Sequence, residues 1–298
     1  MDPLTAKRLS SAAGTQLALK AALAGAFLLF ASCPAQVQTE RLTQFSQAAK
    51  AALDRGFAGE EISYLLLDAS GSVLAERWPS QQPISPGSLV KPFLAIAYGE
   101  QHDGRFPTVR CLGTRSRCWL PRGHGILGLE EAITQSCNTY FLELAKGLDR
   151  KRAAQTFARY GLAGPAPEAG GESLVGLSPA WKEPPLALAR AYLAIEKEEH
   201  SDIQGRIVKG MLGSAARGTA RGVDAALGED AALAKTGTAP CSHSPQGAAD
   251  GFTVLLYPAA QPRLLLLVRV HGVTGAQSAN VAGAMLRALG AGEGDGRR

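Results

Sequence analysis

Apolar runs near both ends of the chain predict β-strands. Ile62–Asp68 and Ser72–Arg77, joined by the turn at residues 69–71, predict a β-hairpin. Phe252–Tyr257 and Leu264–Val270 predict a second hairpin, and their nearly continuous apolar character indicates strands that are covered on both faces. These runs predict one antiparallel sheet completed by both ends of the chain.

Helical periodicity dominates the sequence between the two hairpins and also flanks them. Helices are predicted at Arg41–Gly56, Leu127–Gln135, Asn138–Leu148, Asp149–Tyr160, Pro185–Glu198 and Ala279–Leu289. The predicted fold class is therefore α+β, with an antiparallel sheet flanked by helices and an all-helical lobe over about residues 100–228.

The N-terminal residues have the pattern of a targeting segment. Three basic residues precede the apolar block Ala21–Ser32, which is too short to span a bilayer comfortably. We expect residues 1–35 to be a secretory signal; lipidation at Cys33, cleavage after Ala35 and an uncleaved anchor remain alternatives. Each places the rest of the chain in the periplasm or on the extracytoplasmic face of the cytoplasmic membrane.

Composition excludes some functions. The chain has 298 residues, of which 46% are hydrophobic, and this is ample for a packed core. Its formal net charge of +5 is mild, and no basic stripe with interleaved aromatic residues is present. We therefore expect no nucleic-acid partner.

A serine and a lysine define the first candidate site. Ser88 follows the turn Pro86-Gly87, and Lys91 lies three positions later, before an apolar helical run. On a helix these positions share one face, so Lys91 is expected to reach the Ser88 hydroxyl. A partly desolvated lysine can act as the base that activates a serine nucleophile. Taken alone, this S-x-x-K pattern is better explained by an ordinary helix start with a solvated lysine.

Two further short motifs change that interpretation. Ser136-Cys137-Asn138 lies between two predicted helices, and Lys235-Thr236-Gly237-Thr238 follows a short apolar stretch. Singly, these residues are explained as helix caps or strand residues. Together and in this order, S-x-x-K, S-x-N and K-T-G are the set typical of acyl-serine enzymes.

Over about residues 60–290, the sequence resembles the transpeptidase domain of penicillin-binding proteins, most closely the monofunctional class B type. Other runs typical of that family are Cys118-Trp119, Gly123-His124-Gly125, Leu129–Ile133, Gly210-Met211, Gly218-Thr219-Ala220 and Tyr257-Pro258. The predicted domains are the signal (1–35), an N-terminal helix (36–58), the catalytic domain (59–290) and a disordered tail (291–298).

The resemblance implies acyl transfer through an ester on Ser88, with Lys91 as its base. Ser136 would return the proton to the leaving amine, and Lys235 would polarise the site and attract the substrate carboxylate. Asn138 would hydrogen-bond the substrate backbone. No cofactor and no metal are implied. The implied partners are D-Ala-D-Ala stem peptides of peptidoglycan, β-lactams as covalent inhibitors, and cell-wall synthesis proteins.

The K-T-G segment would complete the substrate site. Thr236 and Thr238 would bind the substrate carboxylate through their hydroxyl groups. Gly237 would allow the substrate to approach the strand edge, because no side chain stands there. Backbone N–H groups of Ser88 and Thr238 would form the oxyanion hole.

The cysteines outside the signal leave several alternatives. In an oxidising compartment, a Cys111–Cys118 disulfide and two free thiols are about equally expected. Four residues could in principle bind zinc: Cys111, Cys118, Cys241 and His243. Their spacing follows no ligand pattern, so we expect no metal. Cys137 is expected to serve as a small packing residue, Cys241 to have no role, and His124 to be a structural loop residue.

The sequence departs from class B in two respects. The stretch between the predicted signal and the first strand is too short for the large N-terminal domain of that class. The segment between the second and third motifs is also short, and Val175–Pro179 replaces the usual pattern there. Three functions stay open: a D,D-transpeptidase or carboxypeptidase, a class D-like β-lactamase, and a β-lactam sensor or peptidoglycan-binding module. Asn138 and Gly123-His124-Gly125 favour the first.

Overall fold

A computed structural model describes residues 34–197, 202–228, 231–241 and 249–290. The predicted signal up to residue 33, His243 and the predicted tail at 291–298 lie outside these ranges. The chain divides after Phe45 into two compact units, and the sheet and the lobe belong to the second. Within the described ranges, no helix combines the length and apolarity needed to cross a membrane.

The strands of the described ranges are β1 (Ile62–Asp68), β2 (Val73–Arg77), β3 (Val109–Cys111), β4 (Gly125–Leu127), β5 (Leu233–Ala239), β6 (Asp250–Tyr257) and β7 (Leu264–His271). Five of them form an antiparallel sheet in the order β2-β1-β7-β6-β5. The sheet is therefore completed by both ends of the chain, as the sequence predicted.

The helices of the described ranges are α1 (Pro34–Gly56), α2 (Lys91–Gln101), α3 (Leu129–Thr134), α4 (Asn138–Lys146), α5 (Arg150–Arg159), α6 (Gly171–Leu174), α7 (Pro185–Lys197), α8 (Asp202–Ala216), α9 (Gly222–Leu227) and α10 (Gly275–Ala288). Single-turn 3-10 helices occur at Gly87–Val90 and Gly113–Ser116. The α5 helix begins one residue later than predicted, because the Asp149 side chain caps it by accepting a hydrogen bond from the Arg152 amide.

The strands separate two apolar cores because successive side chains point to opposite faces of a sheet. In β1, Leu65 and Leu67 join the core that contains the helices of the lobe, whereas Tyr64 and Leu66 join the core that contains α10. The same alternation divides the side chains of β7. Strands β6 and β7 are buried on both faces, which confirms the prediction from their continuous apolar sequence.

Within the described residues, the lobe between β2 and β5 combines helices and loops with one small sheet. Strands β3 and β4 pair antiparallel, with Val109 opposite Leu127 and Cys111 opposite Gly125. Three-residue strands are too short to give a recognisable alternation, so the sequence predicted helices alone. The α+β class and the helix-flanked antiparallel sheet are otherwise as expected.

Candidate active site

The Ser88 turn packs directly against the K-T-G strand. Gly87 has a φ of +57°, and a Cβ atom there would lie 2.4 Å from the carbonyl oxygen of Thr238. Only glycine tolerates both this backbone conformation and this approach. The close packing places the half-buried Ser88 beside β5, and the 3-10 turn runs into α2, whose first residue, Lys91, is completely buried.

Ser136 has an unusual backbone conformation. It follows the last turn of α3 with a φ of +50°, which non-glycine residues rarely adopt. Its amide bonds to the carbonyl of Ile133, and the Cys137 amide bonds to that of Ala132. These two bonds define a Schellman motif, in which the left-handed position is usually glycine. Serine at this position supplies a hydroxyl group to the site and strains the backbone.

Lys91 connects the first motif to the second. Its Nζ donates to the Ser136 carbonyl oxygen at 2.7 Å and to Asn138 Oδ1 at 2.6 Å, and it lies 3.4 Å from Ser136 Oγ. The sequence predicted a contact with Ser88, whereas these hydrogen bonds go to the second motif. A neutral amine has two N–H bonds, so the two strong acceptors occupy both and leave its lone pair free to accept a proton.

Lys235 approaches the same serine from β5. Its Nζ donates to Ser136 Oγ at 2.9 Å and to the Thr236 carbonyl oxygen at 2.6 Å. Burial lowers the pKa of Lys91 to about 7. Burial also lowers the pKa of Lys235 well below its ordinary value, and the neighbouring charge of Lys91 lowers it further. When one of these two amines is protonated, protonation of the other beside Ser136 is therefore disfavoured.

The K-T-G residues are held by neighbouring elements. The Thr236 hydroxyl donates to Thr219 Oγ1 at 2.6 Å, and Thr238 Oγ1 accepts from the Gly275 amide at 2.9 Å. A Cβ on Gly237 would lie 2.7 Å from the carbonyl oxygen of Pro86. Gly237 is thus required for packing β5 against the Ser88 turn, a constraint that differs from the substrate clearance expected from sequence.

The motifs meet at an open cleft of about 500 Å³. Six of the eight predicted site residues line it: Ser88, Ser136, Asn138, Thr236, Gly237 and Thr238. The other two, Lys91 and Lys235, are fully buried and reach Ser136 from behind this lining. The structure thus brings all eight residues together.

Other residues of the cleft were not assigned roles from sequence. They are Trp119, Leu177, Thr219, Thr274 and Ala276. Thr219 and Trp119 lie in runs that resemble the family, and this resemblance was the available signal for them. The hydroxyl of Thr219 accepts the hydrogen bond of Thr236, so it is the strongest addition to the predicted site.

The cysteines differ from the sequence expectations. Cys111 and Cys118 are free thiols here, and no disulfide joins them. They lie with His124 and Cys137 in one group, whose donor atoms are all within 4.8 Å of one another. Cys241 is elsewhere, with its Sγ 3.4 Å from His271 Nδ1. The four zinc ligands considered from sequence therefore do not form one site.

Residues 69–290 match the penicillin binding protein transpeptidase domain family. The match covers most of the chain and includes all three motifs, so the chain belongs to this family. This confirms the resemblance and the fold class predicted from the sequence.

Individual relatives match different shares of the chain. Peptidoglycan D,D-transpeptidase MrdA of Haemophilus influenzae is 31% identical over 106 residues, which are 32% of this chain and 16% of that protein. Pseudomonas aeruginosa PBP2, solved in complex with WCK 5153, is 21% identical with a TM-score of 0.64, over 84% of this chain and 76% of that chain. Helicobacter pylori PBP2, solved in complex with MreC, is 16% identical with a TM-score of 0.67, over 81% of this chain and 62% of that chain. The two structures show the shared fold.

Proposed function

We propose that this chain is a serine-type D,D-transpeptidase or D,D-carboxypeptidase that acts on the D-Ala-D-Ala stem peptides of peptidoglycan. The observation that carries the proposal is the convergence of Lys91 and Lys235 on Ser136, directly behind a cleft that Ser88 lines. This arrangement supplies a nucleophile, a base with a lowered pKa and a hydroxyl relay in one place.

Acylation begins when Ser88 Oγ attacks the carbonyl carbon of the penultimate D-Ala. Lys91 accepts the hydroxyl proton on the lone pair that its hydrogen bonds to Ser136 and Asn138 leave free. The resulting tetrahedral oxyanion is stabilised by the backbone N–H groups of Ser88 and Thr238. One such donor contributes about 3–4 kcal/mol in other serine enzymes.

Breakdown of this intermediate releases the terminal D-Ala. Its amine nitrogen takes a proton from the Ser136 hydroxyl, which is replenished from Lys91 at 3.4 Å. Lys235 supplies positive potential to the cleft when it is protonated, and Thr236 and Thr238 bind the terminal carboxylate. Since Asn138 Oδ1 accepts from Lys91, the Asn138 amide NH₂ group is left to donate to a substrate carbonyl.

The ester on Ser88 is then transferred. A neighbouring stem-peptide amine as acceptor gives a cross-link, and water gives a carboxypeptidase product. β-Lactams would acylate Ser88 through the same steps. We propose that the chain acts outside the cytoplasm, where this substrate is found. Cell-wall synthesis proteins are proposed partners, supported by the complex of the similar Helicobacter pylori protein with MreC.

The test is intact-protein mass spectrometry after mixing the chain with benzylpenicillin. A stable adduct is expected in the wild type and in Ser85→Ala, a control in the same loop, but not in Ser88→Ala. An adduct on folded Ser88→Ala would contradict the assignment. A transient adduct with rapid loss of the drug would support a β-lactamase instead, and no adduct on a folded wild type would support a non-catalytic module. Stem-peptide assays on an acylating protein then distinguish cross-linking, hydrolysis and the absence of turnover that defines a sensor.

A further inference from the structure

Three side chains converge at one end of the sheet, on the face that also carries Lys235. Asp250 is the first residue of β6 and lies directly opposite His271, the last residue of β7. Asp250 also lies opposite Ala239, the last residue of β5, and Cys241 follows two residues later. The ligand atoms of Cys241, Asp250 and His271 all lie within 4.8 Å of one another. None of the three has a role in the acyl-transfer steps.

The thiol and the carboxylate approach the same ring nitrogen. The Sγ atom of Cys241 lies 3.4 Å from Nδ1 of His271, and Oδ1 of Asp250 lies 2.9 Å from that same nitrogen. In a nucleophile–histidine–carboxylate relay, the two groups contact opposite ring nitrogens, because the imidazole takes a proton on one side while the carboxylate orients the other. This geometry therefore does not fit a catalytic relay at Cys241. Donors that converge on one point fit an ion held between them.

We infer that Cys241, Asp250 and His271 form a binding site for Zn²⁺. A thiolate, an imidazole nitrogen and a carboxylate oxygen are the ligand types that zinc takes in proteins, whereas Mg²⁺ and Ca²⁺ select oxygen ligands. Three protein ligands leave the fourth tetrahedral position to water or to a further ligand. Binding converts the Cys241 thiol to a thiolate, and its proton passes to solvent.

The spacing of the three atoms is close to that of a tetrahedral site. A zinc ion about 2.3 Å from the sulfur and about 2.0 Å from the nitrogen and the oxygen separates sulfur from nitrogen by about 3.5 Å, and nitrogen from oxygen by about 3.3 Å. The distance of 3.4 Å between Cys241 and His271 agrees with this. The 2.9 Å contact between Nδ1 and Oδ1 is a hydrogen bond, and an ion that replaced it would move these two atoms apart by about 0.4 Å.

The burial of the three side chains also suits a metal. The Asp250 side chain is 5% exposed, whereas that of His271 is 31% exposed. A buried carboxylate is costly unless it is paired or coordinates a metal. Cys241 is partly exposed, in contrast to the buried Cys111, Cys118 and Cys137. The site thus combines a buried anionic ligand with a path from solvent, and a metal site needs such a path.

The ion would fasten the end of an edge strand. In the five-stranded sheet, β5 is an outermost strand and pairs with β6. Coordination by Cys241 and His271 would connect the end of β5 across β6 to β7. Thr238, which lines the cleft, lies three residues before Cys241, so the ion would restrict the strand end that carries it. The effect on Thr238 matters for catalysis only under the proposed function, whereas the zinc site does not rest on that function.

Protection of the Cys241 thiol from alkylation tests the site. The full chain is reduced, stripped with a chelator, equilibrated with buffers of known free Zn²⁺ and treated with iodoacetamide. Mass-spectrometric peptide mapping then gives the alkylation rate of Cys241 separately from those of the other cysteines. We expect saturating Zn²⁺ to slow this reaction about tenfold or more, because the metal holds the thiolate that would otherwise attack, and Mg²⁺ to leave it unchanged. A folded wild type whose Cys241 reacts equally fast with and without Zn²⁺ would overturn the site, and so would equal protection by Mg²⁺.

Two substitutions test the other ligands. Asp250→Asn and His271→Gln each remove one ligand and keep a polar side chain of similar length. In both variants, the free Zn²⁺ concentration that gives half-protection of Cys241 should rise about tenfold or more. His102→Gln, at a half-buried histidine outside the group, is the matched control and should behave as the wild type does. Wild-type protection in folded Asp250→Asn and His271→Gln would contradict the assignment. If neither variant folds, the comparison of Zn²⁺ with Mg²⁺ on the wild type still decides.

Zinc content and hydrogen exchange test the ion and its effect on β5. In equilibrium dialysis at the same free Zn²⁺, the wild type should hold about one ion per chain more than Cys241→Ser. Equal zinc content in the two proteins would overturn the site. Zinc should also slow amide exchange in the peptide that contains Thr238 and Ala239, in the wild type but not in Cys241→Ser. Unchanged exchange in a zinc-loaded wild type would overturn the fastening of β5 and leave the site standing.

This inference and the proposed function fail separately. Ser88→Ala should keep the zinc protection of Cys241, so a zinc-protected wild type that forms no penicillin adduct would remove the acylation proposal alone. A wild type that forms the adduct but gains no protection from Zn²⁺ would remove the zinc site alone.

Discussion

The Nζ atom of Lys91 lies 2.6 Å from Oδ1 of Asn138, and this hydrogen bond joins two motifs that are far apart in sequence. Because the side chain of an asparagine is neutral, it holds the amine in place and favours the protonated form less than a carboxylate would. Burial can therefore keep the pKa of Lys91 at about 7.

The rate of β-lactam acylation should increase through a pH of about 7 and level off above it. In the proposed mechanism only the neutral form of Lys91 accepts the Ser88 proton, and burial places the pKa of Lys91 at about 7. Below that value the rate should fall about tenfold for each pH unit. Acylation by a fluorescent penicillin, followed by stopped flow over a pH range in which thermal unfolding shows an intact fold, checks this. A flat profile would exclude Lys91 as the base.

Asn138→Asp should shift the same profile to higher pH. A carboxylate at hydrogen-bond distance favours the ammonium form and raises the pKa of Lys91. Acylation at pH 7 should fall about tenfold for each unit of that shift. Asn138→Ala removes the hydrogen bond without adding charge, so it should slow acylation without moving the inflection upward. Equal inflections in the two variants would contradict this account of the Lys91–Asn138 contact.

Replacing Ser136 by glycine and by alanine should separate backbone strain from chemistry. Both substitutions remove the hydroxyl that accepts from Lys235, so both should abolish rapid acylation. Glycine tolerates the φ of +50°, whereas alanine does not. Ser136→Gly should therefore have a free energy of unfolding about 1 kcal/mol greater than that of Ser136→Ala. Urea denaturation measures this difference, and equal stabilities would show that the turn is unstrained.

Gly87→Ala should destabilise the fold and impair acylation together. Its Cβ would lie 2.4 Å from the Thr238 carbonyl oxygen, so β5 and the Ser88 turn would have to separate. Gly104→Ala is the matched control, because its φ is also positive, at +72°, and its Cβ would meet no atom within 4 Å. The control should lose about 1 kcal/mol from the strained backbone alone. Similar losses in both variants would mean that the turn adapts without cost.

The sheet and the three motifs could be predicted because their signals are local. Apolar runs identify β1, β6 and β7, and each motif is a few residues long. Other features arise only in the folded chain. The left-handed Ser136 has no local signal, since glycine is the residue normally expected there. The close approach of Gly237 to the Pro86 carbonyl oxygen depends on packing between distant segments.

The group formed by Cys111, Cys118, His124 and Cys137 also arises only in the folded chain. Cys111 and Cys118 were paired as a candidate disulfide because they are close in sequence. His124 and Cys137 join them only after β3 pairs with β4 and α3 ends in its tight turn. No regular spacing marks this group, and the set considered and rejected from sequence contained Cys241 and His243 in place of His124 and Cys137.

The pairing of β1 with β7 also determines when the cleft can form during synthesis. Ile62 pairs with Val270, so β7, the central strand of the sheet, is the last of the described strands to be made. Such distant pairings increase contact order and slow folding, because a long loop must close before the contacts form. The Ser88 turn packs on β5, which is held in the sheet by β6 and β7. A nascent or truncated chain that ends before residue 264 would therefore carry all three motifs without the sheet that assembles them.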